Sequence, residues 1–159
     1  MKNEVNDPNK IPLVCDLDVK KYLGKWHEIG KLSAREQKGL DNVTATYTLR
    51  RNGRIRVQNV GYRKGKKLGI KGTAWLRDEK CSGGLYVRFF WPFKGDYNVI
   101  KLASDYRYAV VMGERKSSLW ILSRTPEMKK EDLREILTFL KAHGFNVERI
   151  TKTKQDRNV

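Results

Sequence analysis

Apolar and polar residues alternate along most of this chain in short segments, and one late segment changes to a helical spacing. The stretch VTATYTL (43–49) sets Val43, Ala45, Tyr47 and Leu49 on one face and three threonines on the other, the period-two pattern of a half-buried strand. Arg51-Asn52-Gly53 supplies an Asn-Gly turn, and Ile55 to Tyr62 returns as the next strand. Lys64-Gly65-Lys66-Lys67 turns the chain again, and Leu68 to Arg77 carries Ile70, Gly72, Ala74 and Leu76 in phase. Before these lie a short capped turn at Asp16-Leu17-Asp18, a strand over 25–31 and a polar connection over 33–42. After them come a loop from Asp78 to Gly84 and strands at Leu85–Trp91, Tyr97–Ala103, Tyr106–Met112 and Leu119–Arg124.

The period then lengthens. Leu133, Ile136, Leu137 and Leu140 recur every three or four residues between Met128 and His143, with Gly144 where a C-terminal cap belongs. A short final strand is expected near Phe145–Ile150. Eight short strands and one late amphipathic helix predict a single all-β domain, as a sandwich or an up-and-down barrel, with the α-helix packed outside. Residues 1–15 read as a polar arm with Pro8 and Pro12, 16–150 as the folded body, and 151–159 as a polar tail.

Charge adds a second layer. Thirty-four Lys and Arg stand against 18 Asp and Glu, a formal +16. Such a surface attracts nucleic acid, anionic membrane and acidic ligands alike, so its meaning depends on where the charges lie. No apolar run approaches the roughly 18–20 residues of a spanning helix, and MKNEVNDPNKIPLV has no apolar segment of the secretory type. The two cysteines, Cys15 and Cys81, make no metal motif and are either two thiols or one disulfide. His27 and His143 fall in different elements with no nucleophile–base pattern nearby. The expectation is a protein that is not an enzyme, with no cofactor and no metal. The run LYVRFFWPF (85–93) has the look of an aromatic platform framed by basic residues, which keeps single-stranded nucleic acid as the second reading.

Five segments, taken in order, carry a resemblance. They are Gly24-Lys25-Trp26 within YLGKWHEIGK, VTATYTL (43–49), FFWPFKGDYNVI (89–100), Asp105-Tyr106-Arg107-Tyr108, and Trp120 to Pro126 with Arg124. Over nearly all of 16–150 the chain resembles the lipocalins, above all the bacterial outer-membrane members and their apolipoprotein D-like and plant temperature-induced relatives. His27 departs from the Tyr that such relatives often carry, and strand alternation sets it on the face opposite Trp26.

The resemblance implies an eight-stranded antiparallel up-and-down barrel. Trp26 would fill its closed end, Arg124 would lie across the indole, and Gly24 would let the backbone pass close beneath. It also implies a cavity for a small lipophilic ligand, with Tyr47, Val57, Ala74, Val87, Phe89, Tyr97, Val99, Tyr108 and Ile121 as the expected lining. The open mouth would carry Arg63, Lys64, Lys66, Lys67, Lys94, Arg115 and Lys116, a basic rim suited to the anionic head of a fatty acid or lysophospholipid. Trp91 and Phe93, flanking Pro92, would form an aromatic turn at that mouth, facing an anionic membrane, a second subunit or the cavity. In this topology Cys15 and Cys81 both belong to the closed end, where a disulfide would tether the arm. The expected state is a monomer or homodimer. The expected setting is the bacterial cell envelope, outer membrane or periplasm, if a signal peptide precedes the chain, and the cytoplasm otherwise.

Overall fold

The computed structural model describes residues 11–33 and 39–156. Parts of the expected arm (1–10), the long connection (34–38) and the tail (157–159) lie outside them.

Eight antiparallel strands close into a barrel: β1 (Gly24–Leu32), β2 (Asp41–Leu49), β3 (Ile55–Arg63), β4 (Lys66–Leu76), β5 (Gly84–Arg88), β6 (Gly95–Leu102), β7 (Tyr108–Met112) and β8 (Leu119–Ser123). Neighbours in sequence pair in order, and β1 pairs with both β8 and β2 to complete the ring. A one-turn helix, α1 (Val19–Tyr22), precedes β1, with the Asp18 carboxylate accepting from the Lys20 amide at 3.0 Å. Helix α2 (Lys130–Ala142) follows the barrel, and a two-residue strand, β9 (Thr151–Lys152), pairs with β1 beyond it.

Two apolar clusters hold this together. One fills the barrel, with Trp26, Val57, Val99, Val111 and Leu122 among its buried members. The other lies between the outer wall and α2, where Ile136 and Leu140 pack on Val110, Leu119 and Ile121. Arg107 pins the start of the helix: its Nε and Nη2 donate to the two carboxylate oxygens of Asp132 at 3.0 and 2.8 Å. This paired guanidinium holds the Asp132 carboxyl below its ordinary range.

Three expectations change. The fifth strand ends at Arg88, so Phe89 to Trp91 belong to the connection. Residues 145–150 do not form the final strand; Val147–Arg149 is a 3-10 turn and the pairing comes later, at Thr151–Lys152. The tail is not loose over its described length. β1 and β2 pair only over 24–27 against 44–47, and residues 153–156 fill the gap above. The Thr153 amide donates to Ile29 O at 3.0 Å and the Asn42 amide to Lys154 O at 2.7 Å. The Gln155 side-chain amide bridges Glu28 O and Val43 O, each at 2.9 Å. Isolated polar residues carry no period, so nothing in the alternation marks them as wall.

At the other end, residues 11–15 are likewise built in. Ile11 is buried, the Val14 amide donates to Val99 O at 2.9 Å, and a disulfide joins Cys15 to Cys81.

Candidate functional site

Alternation along β1 points Trp26 into the barrel, where it is 0% exposed. Its Nε1 donates to Tyr22 O at 2.9 Å. The Arg124 guanidinium lies 3.8 Å from the indole centroid. Its two Nη groups donate to the carbonyls of Lys21, Leu23 and Lys25 at 2.8, 3.0 and 3.0 Å. One side chain therefore caps both the ring and the end of α1. Gly24 is required there: its φ is +102°, and a Cβ would stand 3.3 Å from Arg124 Nη1. These contacts seal one end of the barrel.

Above the seal three tyrosines form the cavity floor. The Tyr97 hydroxyl bonds those of Tyr22 and Tyr47 at 2.6 and 2.8 Å. Burial disfavours the phenolates, and the Tyr47 pKa is pushed up to about 12.

The cavity over this floor holds about 160 Å³. Five of the nine positions expected from sequence line it: Tyr47, Val57, Val87, Phe89 and Tyr97. Phe89 lies across Gly72, where any Cβ would meet its ring at 2.7 Å. Ala74 and Val99 border a smaller hollow of about 20 Å³ below. Tyr108 and Ile121 do not line either space; they point outward into the cluster under α2. On β7 and β8 the inward residues are Ala109, Val111, Trp120 and Leu122. Both faces of these strands are apolar, one toward the cavity and one toward the helix, which erases the alternation that would have set the phase.

Three polar side chains in the lining, Glu28, Asn59 and Asp96, had not been singled out. Glu28 was legible, since it stands two residues from Trp26 on the same strand face. It is 6% exposed, and Thr153 Oγ1 donates to its Oε2 at 2.6 Å. Burial raises its pKa, opposed by the Thr153 bond and the nearby Lys31 charge.

The strand ends leave the 63–67, 89–94 and 113–118 turns at the end opposite Trp26, but none of the expected rim residues lines the cavity. Arg63, Lys64, Lys66 and Arg115 are exposed. Lys67 borders an outer groove of about 240 Å³ together with Lys25 and His27. Lys94 Nζ sits 3.9 Å from the Tyr86 ring centroid. Lys116 leans on Gly144 at the C-terminal end of α2, where an ammonium suits the helix dipole. Lys31, on β1, pairs in register with Trp120 of the cavity wall and extends over Gly39. Phe90, Trp91 and Phe93 do not fold back over the cavity; Trp91 is 80% and Phe93 76% exposed.

Residues 17–155 match the family described as Lipocalin-like domain. The chain belongs to the lipocalin family. It is 41% identical over 150 residues to the outer membrane lipoprotein Blc of Citrobacter freundii, covering 93% of this chain and 85% of that one. It is 33% identical to temperature-induced lipocalin-1 of Arabidopsis thaliana, over 95% and 86% of the two chains. Apolipoprotein D of Mus musculus is also 33% identical, over 91% and 80%. Among solved structures, apocrustacyanin C2 superposes with a TM-score of 0.71 at 14% identity, covering 92% of this lipocalin and 91% of its own chain. Lobster apocrustacyanin A1 gives 0.70 at 16%, over 87% and 79%. Lipocalins are generally binding proteins for small hydrophobic molecules rather than enzymes. Among the described residues no group of three or more His, Cys, Asp or Glu is arranged to hold a metal ion.

Proposed function

We propose that this lipocalin carries a fatty acid or lysophospholipid, tail inward and head at the mouth, in a bacterial cell envelope. The observation that carries the reading is the apolar cavity of about 160 Å³ sealed at one end by Trp26 and Arg124. Its size favours a slender alkyl chain over a fused-ring ligand, since drug-sized molecules usually occupy about 300–1,000 Å³. Lys31, rather than the exposed rim, is the cation placed to meet an anionic head group. The envelope setting rests on the similarity to outer membrane lipoproteins. Native mass spectrometry of the purified protein, followed by solvent extraction, tests the proposal. A stoichiometric fatty acid or lysophospholipid is expected, with dodecanoate affinity about tenfold weaker in Lys31→Ala. A bare chain that also refuses added lipid would overturn it.

The exposed Phe90-Trp91-Pro92-Phe93 turn favours an additional contact with an anionic membrane surface. Aromatic side chains at the same end of the barrel as Arg63, Lys64 and Lys66 suit an interface where apolar rings enter and cations meet head groups. Cosedimentation with phosphatidylglycerol vesicles is expected to fall several-fold in a Trp91→Ser, Phe93→Ser double variant and to weaken with salt. Equal binding by wild type and variant would remove the membrane contact. Salt-sensitive binding to single-stranded DNA instead would favour the nucleic-acid reading.

A further inference from the structure

Among the described residues two carboxylates border the cavity, Glu28 and Asp96; Asp96 lies 3.8 Å from Arg77, whereas Glu28 stands on the Trp26 face of β1 beside a mostly apolar wall. Its neighbours on that face are the Trp26 plug below and, across the β1–β8 ladder, Leu122. Of its two oxygens, Oε2 accepts from Thr153 Oγ1 at 2.6 Å, a donor delivered by the C-terminal segment that fills the β1–β2 gap. Among the described residues no ion pair within 4 Å engages Glu28; Lys31 acts on it only at longer range. Glu28 borders the cavity, and no donor from the described residues meets its second oxygen. A carboxylate offers about four acceptor positions, so most of its capacity remains unspent in a site where unmatched polar groups are costly.

An apolar tail lying against that oxygen would strip its solvation and return nothing. A ligand with a hydroxyl or amine at the same height would satisfy it. We infer that Glu28 is a specificity-determining residue of the cavity: it accepts a hydrogen bond from a donor group on the bound lipophile. The barrel thereby selects donor-bearing amphiphiles, such as a lysophospholipid with its free glycerol hydroxyl, over fatty acids, whose buried part is bare hydrocarbon, and over chains that carry only acceptors. The inference rests on the carrier reading and narrows its ligand class. The selection is that of the ionised carboxylate, which only accepts; a protonated Glu28 would also donate to an ether oxygen and discriminate less.

The test compares two probes of nearly equal apolar size, 1-dodecanol and dodecyl methyl ether, which differ in whether the oxygen carries a proton. Binding is read from the fluorescence of Trp120 in the cavity wall. Wild type is expected to prefer the alcohol by about tenfold, in line with a hydrogen bond to a charged acceptor. Glu28→Gln keeps a carbonyl oxygen for Thr153 and turns an amide donor toward the ligand, so the preference should reverse toward the ether. Glu28→Leu removes both oxygens at similar volume, and there the preference for the alcohol should vanish; it serves as the deciding variant if Glu28→Gln fails to fold. Equal binding of the two probes to wild type, or an unchanged preference in Glu28→Gln, would overturn the role of Glu28 and leave the carrier reading intact. Failure of wild type to bind either probe would instead count against the carrier reading itself.

Discussion

Replacing Trp26 with alanine is expected to lower the stability of the barrel by about 3–5 kcal/mol, the range for truncating a large buried aromatic. The indole is fully buried, packs 5.0 Å from the Tyr22 ring and donates to the Tyr22 carbonyl. Its removal leaves that carbonyl with only the longer bond from Arg124 Nη2, at 3.3 Å, and takes away the surface on which Arg124 rests. Arg124→Lys is expected to fall between wild type and Trp26→Ala. Lysine keeps the charge but has no planar fork to reach the carbonyls of Lys21, Leu23 and Lys25 together. Urea unfolding followed by circular dichroism gives both numbers. A Trp26→Ala midpoint equal to that of wild type would mean that the closed end is held by something other than this stack.

The second large effect concerns the disulfide. Cys15 and Cys81 are 66 residues apart, and a cross-link over such a loop stabilises by about 4 kcal/mol in the chain-entropy account. Cys15→Ser with Cys81→Ser is expected to lose an amount of that order, and wild type in reductant should match the double variant. The arm should stay docked in both, because the Val14 amide reaches Val99 O and the Ser82 amide and hydroxyl both donate to Cys15 O. Thiol titration without reductant should find no free thiol. Two thiols per chain, or a double variant as stable as oxidised wild type, would show that the bond does not form or does not matter.

How far the site was legible depended on what each strand faces. β2 and β3 have cavity on one side and solvent on the other, so Tyr47 and Val57 declared themselves by alternation. β7 and β8 are covered on both sides, and there the assignment of Tyr108 and Ile121 to the cavity was out by one residue. A one-residue change of phase turns every side chain of a strand to its other face, which is why Val111, Trp120 and Leu122 took their places. The rim failed for a different reason. A count of Lys and Arg in the right turns shows which end of the barrel is basic, but long flexible side chains choose their partners in three dimensions. Lys94 chose the Tyr86 ring and Lys116 the end of α2, while Lys31, inside a strand and unremarkable in the pattern, reached the mouth.

By itself, then, the sequence determined the eight strands, the late helix and the family, because hydrophobic period, turn residues and a few ordered motifs are local properties of the chain. It also determined the plug at Trp26, through motifs that the family shares. Only the tertiary structure decided which face of the helix-covered strands meets the cavity, which donor Glu28 is given, and that residues 153–156 belong to the wall. Those outcomes depend on contacts between different elements, up to 125 residues apart for Thr153 on Glu28, and a pattern of period two or 3.6 carries no information about which elements meet.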